Sequence, residues 1–263
     1  MALSVATQLK NKFLVTEQVS SDPCFSNALF FLTIFSFLLR LLPSPPVVPP
    51  FQTPIYSNAA FQILAYALEN ITSQPFTTLF EDDFVKALAL NGTSYNIPTS
   101  SASSIIPGGA TVSWYNATIG DETPAGGFYS SINDMRKIGI SMLNSTFLDQ
   151  AQTRRWMQPH AFTSNPNVSV GAPWEILRRP SQRTSWMYAK AGDLGLYCSQ
   201  IALLPEYGVG FSVLGAGAAS IPNVQIVSDL LTATYVPALE AAAKEEAHTV
   251  YGGTYHDAES NST

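Results

Sequence analysis

Apolar positions recur at helical spacing through the first part of the chain and collect into short strand-like runs further on. After Tyr56-Ser57-Asn58, the residues Phe61, Leu64, Ala65, Leu68 and Ile71 repeat every three or four positions, which predicts a helix with Ser57 or Asn58 suited to cap it. A second helix is predicted over about 76–88, with Phe76, Leu79, Phe80, Phe84 and Leu88 on its inner face. Residues 91–127 are loop-rich, with Gly108-Gly109 and Pro124-Ala-Gly-Gly127. Ile132, Met135, Ile138 and Met142 mark a helix near 131–143, and another starts near Leu148 and carries Arg154, Arg155 and Trp156. Gly171 to Ile176 reads as a short extended approach. Three apolar runs then follow at about 185–191, 196–204 and 209–214, broken by Gly192-Asp193-Leu194-Gly195 and Pro205-Glu206-Tyr207-Gly208. They predict an antiparallel three-stranded meander, and their nearly continuous apolar character predicts a sheet covered on both faces. A long helix over 223–247, interrupted near Pro237, completes the pattern. Helices, then antiparallel strands, then a helix that can pack back make the fold class α+β, an antiparallel sheet with packed helices.

The first 46 residues fit none of this. Ala28–Leu39 is a dense apolar run that meets Arg40. Twelve residues are short for a bilayer span, and the run begins late for a signal sequence with no small-residue cleavage site after it. A buried or half-buried helix is the favoured reading; membrane contact by 28–42 and a faulty gene model are the others. Pro43-Ser-Pro-Pro and Pro49-Pro50 force extended chain. The expected organisation is therefore an atypical segment 1–46, a main domain 47–247 and a short tail 248–263.

The chain has 263 residues, of which 12% are charged, and a net charge of −6 without a basic patch, which argues against a nucleic-acid partner. Cys24 and Cys198 allow at most one internal disulfide, and the sequence leaves open whether they pair. There is no CxxC or HExxH, and His160, His248 and His256 are scattered, so no metal site and no cofactor are expected. Six N-x-[ST] sequons stand at Asn70, Asn91, Asn116, Asn144, Asn167 and Asn261. Chance would give roughly two or three, so six point to a secreted glycoprotein, with a Ser/Thr-rich chain of fortuitous spacing as the alternative.

One lysine, Lys190, lies inside the first apolar run, followed by Ala191 and Gly192. It must find an anion or open onto a cleft, unless it only blunts a sheet edge. Pro54-Ile-Tyr-Ser-Asn-Ala-Ala-Phe61 resembles the Y-x-N motif of the serine β-lactamase and penicillin-binding-protein-like superfamily, in its class C and esterase branch. Lys190-Ala-Gly192 resembles that family's K-T-G box. Thr123-Pro-Ala-Gly-Gly-Phe-Tyr-Ser130, Arg154-Arg-Trp156 and Gly171-Ala-Pro-Trp-Glu175 are similar to pieces of the fungal, secreted β-lactamase-related proteins. The resemblance covers roughly 47–247, and Tyr251-Gly-Gly-Thr-Tyr255 resembles the opening of a small C-terminal β domain found in some members.

The resemblance implies a partial β-lactamase/transpeptidase-like fold and acyl transfer on a small-molecule amide or ester substrate. Serine is a weak nucleophile at its free pKa and must be activated, which the family does with Ser-x-x-Lys on a helix. By the family pattern Tyr56 moves protons beside the cation of Lys190, Asn58 bonds the substrate side chain, and Ala191 and Gly192 line the substrate strand, whose backbone N–H groups contribute to an oxyanion hole. Without the resemblance, Tyr56 is an aromatic before a helix and Asn58 a cap.

One departure changes the expectation. The residues three before the six lysines are Thr7, Leu9, Asp83, Asp134, Met187 and Ala241, so no S-x-x-K exists in the chain. Thr7-Gln-Leu-Lys10 is the nearest imitation. The family places its nucleophile helix farther before Y-x-N than 55 residues comfortably allow, so the N-terminal part of the domain is expected to be missing or replaced. Ala191 also replaces the K-T-G threonine. Two readings stand: a serine hydrolase by ancestry, and a non-catalytic glycoprotein or ligand-binding pseudoenzyme with a cleft and no nucleophile.

Overall fold

A computed structural model describes residues 52–179, 184–257 and 259–260, together with 36–39, 45 and 48–49. The chain forms two compact units, Met1–Pro49 and Pro50–Thr263. In the first, residues 36–39 are helical, and the rest of the apolar run 28–42 lies outside the described residues, as does Cys24. Cys198 is a buried free thiol.

The second unit is α+β, as the pattern predicts, but its sheet is larger. Six antiparallel strands follow one another in chain order: β1 (Ala161–Phe162), β2 (Val168–Val170), β3 (Glu175–Arg179), β4 (Ser185–Leu194), β5 (Tyr197–Leu204) and β6 (Val209–Ala216). The extended approach at 171–176 is thus the entry to a full strand. The break at 192–195 is also tighter than its composition suggests. Leu194 pairs with Tyr197 across a two-residue turn, with Gly195 at φ +59°. Positive φ at the first turn position matches the twist of the flanking strands, and glycine takes it without a Cβ penalty. Gly195 also has no room for a side chain, since a Cβ would lie 2.5 Å from the Ser113 carbonyl oxygen.

Both faces of the sheet are covered. On one, Met187, Ala189, Ala202 and Leu204 pack with Val236 of α7 (Ser220–Tyr251). On the other, Ile176 and Leu203 pack with Met157 and Trp174, joined by Met142 and Leu143 of α5 (Ile132–Leu143) and Trp156 of α6 (Gln150–Trp156). Period-two alternation separates the two sets, so β4 sends Met187 and Ala189 one way and Trp186 and Tyr188 the other. The expected interruption of α7 at Pro237 is absent. The helix runs through it, because burial of Val224, Ser228, Thr232 and Val236 along one stripe outweighs one lost backbone hydrogen bond.

Local signals fix the helix starts. Ser57 Oγ accepts from Ala60 N at 3.2 Å and caps α1 (Asn58–Thr72), so Asn58 is its first residue and not its cap. Asp149 and Gln152 form a capping box on α6. The predicted second helix is α2 (Phe76–Leu79), continued by a π-helical turn Phe80–Lys86. Its aromatics do pack, with Phe80 4.5 Å from Phe128 and 5.5 Å from Phe84, ring centre to ring centre. The helix expected from the spacing of Phe61, Leu64, Ala65, Leu68 and Ile71 is present, but only part of that set is covered. Gln62 and Ala65 are buried, whereas Leu64, Leu68 and Ile71 are exposed. The helix turns its small and polar stripe to the short segment 120–126, where α4 (Thr123–Gly126) lies.

One buried carboxylate ties loop to helix. Asp134, in the first turn of α5, accepts from Gly92 N at 2.7 Å and Thr93 Oγ1 at 2.9 Å. Lys137 stands 3.8 Å away. The loop-rich stretch after residue 91 is thereby anchored.

Candidate active site

Lys190 shares strand parity with Trp186 and Tyr188, which points it to the face that carries α5 and α6. It is the last partly covered residue there before the strand runs into solvent at Ala191 and Gly192. Its Nζ lies over the Tyr56 ring, 5.2 Å from the centroid. That is within cation–π range. Tyr56 is 71% exposed, on the extended segment that enters α1, so the pair sits in the open. Asn58 follows two residues on, exposed, in the first turn of α1.

Two further contacts hold the lysine. Its Nζ donates to the Ala191 carbonyl at 2.6 Å and to Glu175 Oε1 at 3.3 Å. Glu175 opens β3 and faces Ala189 in the β3–β4 register, one residue before the lysine. A distance of 3.3 Å is longer than a tight charge-assisted bond, and the glutamate is about half exposed, so this is a loose pair in a partly wet setting.

The strand edge beside the pair is open. Pairing of β3 with β4 ends at Glu175 and Ala189, whereas β5 stays paired with β4 through Leu194. Among the described residues, 190–194 have no strand on the β3 side. Ser199 Oγ on β5 donates to the Gly192 carbonyl at 3.3 Å, which places that carbonyl toward β5. Backbone groups alternate sides along a strand, so those of Ala191 and Asp193 face the open edge. The Ala191 carbonyl is taken by Lys190, and the N–H groups of Ala191 and Asp193 point where an extended or planar acyl group can lie.

The arrangement therefore combines a phenol, an ammonium and outward-facing amide donors. It can orient a carbonyl and move protons near it; it holds no activated hydroxyl among the residues named. Glu175 and Asp193 had no role in the sequence reading. Glu175 stood within a recognised stretch, but only the strand register brings it to Lys190. No group of three or more metal-ligating side chains occurs among the described residues.

A family model, Beta-lactamase, matches residues 22–234. The beta-lactamase-like protein of Arthroderma benhamiae is 32% identical over 224 residues, covering 83% of this chain and 37% of that protein. The chain thus spans little more than a third of that relative's length. The penicillin-binding protein of Bacillus halodurans superposes with a TM-score of 0.56 at 19% identity, over 74% of this chain and 62% of that one. The class C beta-lactamase of Rhodobacter sphaeroides gives 0.56 at 16% identity, over 76% and 65%. At these identities the two structures speak for the fold alone, a partial β-lactamase/transpeptidase-like one.

Proposed function

Because the chain belongs to the β-lactamase family, by its match over residues 22–234, we propose that it holds small amide or ester substrates at the open strand edge beside Tyr56 and Lys190 without forming a covalent acyl intermediate. The observation that carries this reading is the meeting of Lys190 with the Tyr56 ring beside an open strand edge. In this role Tyr56 and Lys190 handle protons and charge at the substrate. Asn58 bonds its side chain, and the Ala191 and Asp193 amides receive its carbonyl oxygen. The step withheld is nucleophilic attack. No serine stands three residues before any lysine in the 263 residues, and loss of a nucleophile from a cooperating set costs several orders of magnitude in rate.

The same proposal makes the protein a secreted glycoprotein. Supporting it, Asn70, Asn91, Asn116, Asn144 and Asn167 are all exposed, and Asn261 lies outside the described residues.

Intact-mass spectrometry after incubation with benzylpenicillin tests the chemistry. The expected result is unmodified mass in a sample that melts cooperatively and binds the compound reversibly. A stoichiometric adduct on any serine, or on Thr7, overturns it.

A further inference from the structure

We infer that this site selects uncharged acyl compounds over carboxylate-bearing ones, because Glu175 already neutralises Lys190. The inference rests on the proposed function and names the substrate class for that same site.

Lys190 is a cation next to the open edge, and its three contacts among the described residues are internal. Glu175 Oε1 stands 3.3 Å from Nζ, the Ala191 carbonyl 2.6 Å, and the Tyr56 ring face takes the remaining side. The local charge of the lysine and glutamate sums to zero. A ligand carboxylate seeking Lys190 must displace Glu175 or sit beside it. Like charges a few ångströms apart repel, more so where water is partly excluded. The strand offers no compensating hydroxyl, since Ala191 presents a methyl group where the resembled box has threonine. A neutral ester or amide meets none of this cost. It uses the outward N–H groups of Ala191 and Asp193 and the aromatic surface of the Tyr56 ring, which Lys190 holds at the strand edge.

Glu175 acts through Lys190 and is a specificity-determining positioning residue. Its exposed place at the start of β3, held by strand pairing rather than by its side chain, makes Glu175→Gln compatible with folding.

The test compares benzylpenicillin with its methyl ester, two probes that differ in one charge, by calorimetric or NMR titration of the full chain. The wild type is expected to bind the ester at least about threefold tighter, and Glu175→Gln to move the ratio toward the carboxylate by about three- to tenfold, the range of a half-exposed charge interaction. Added salt should shrink the wild-type preference, a readout that needs no variant. A wild type that prefers the carboxylate, or a ratio indifferent to both Glu175→Gln and salt, overturns the inference while leaving the strand edge as the binding site. Absence of binding by both probes, or binding indifferent to Tyr56→Ala and Lys190→Met, overturns the proposed function and this inference with it.

Discussion

Lys190 meets Tyr56 at the face of the ring, with Nζ 5.2 Å from its centroid, and donates its hydrogen bonds elsewhere, to the Ala191 carbonyl and Glu175 Oε1. The tyrosine enters from the start of the first long helix and the lysine from the middle strand region of the sheet. The contact therefore fastens the helical part of the unit to the sheet at its open edge. An exposed cation–π pair contributes only about 0.5–1 kcal/mol. Tyr56→Ala and Lys190→Met are accordingly expected to lower stability by less than about 1 kcal/mol in urea titrations, yet to abolish binding of a neutral ester probe. A large stability loss with unchanged binding would make the pair a structural fastener.

Asp134 is expected to matter far more for folding. It is 3% exposed and holds the Gly92 amide and the Thr93 hydroxyl. Asp134→Ala removes the shared acceptor; the Thr93 hydroxyl keeps Ser130 Oγ at 2.9 Å and Gly92 is open to water, so the expected loss is about 1–3 kcal/mol, that of one buried group left without its partner. Equilibrium urea unfolding reads this directly. Asp134→Asn, which keeps an acceptor, should recover part of the loss.

Gly195 joins two constraints, a φ of +59° and a Cβ position 2.5 Å from the Ser113 oxygen and 2.6 Å from Trp114 Cβ. An alanine there pays about 1–2 kcal/mol for the left-handed backbone and must also push back the segment that accepts from Leu196 N. A total loss of about 2–4 kcal/mol is expected for Gly195→Ala. Gly126→Ala, in α4 with nothing within 4 Å of its Cβ position, is the control and should be close to neutral.

Alkaline pH should unfold the protein earlier than surface titration alone would. Burial raises the phenols of Tyr95, Tyr129 and Tyr188 above the ordinary 10.0 and the Cys198 thiol above 9.0; Glu206 adds to Tyr188 and Asp193 to Cys198. The folded state prefers each group protonated. Their contribution is complete below pH 9 and is lost as pH rises through the raised folded values, because the unfolded chain releases its protons first. The urea midpoint should therefore fall between pH 9 and 11 and stay flat from 7 to 8.5. Tyr188→Phe should lessen the fall, and iodoacetamide should label Cys198 slowly until unfolding.

Glycan occupancy tests the secretory history. Expressed with a eukaryotic secretion signal, the chain should lose mass on treatment with an N-glycosidase, from several of Asn70, Asn91, Asn116, Asn144 and Asn167, whose side chains are exposed. Unchanged mass would return the sequons to chance.

The sequence alone determined what local chemistry determines. Helix periodicity, the Ser57 cap, the glycine and proline turns and the order of elements made the α+β class legible, because each is an interaction among residues a few positions apart. Tyr56-Ser-Asn58 and Lys190-Ala-Gly192 were legible as boxes only through their resemblance to the family's motifs. Which stripe of α1 is buried was not, since periodicity groups Leu64, Leu68 and Ile71 on one face without saying what that face meets. Nor could Pro237 reveal that α7 passes through it, a matter of the sheet packed alongside. Glu175 beside Lys190, and the amides of Ala191 and Asp193 at an open edge, depend on strand register and on where β3 stops pairing. Register is set by the packing of two whole faces of a sheet, and that is why the charge balance around Lys190 belonged to the tertiary structure.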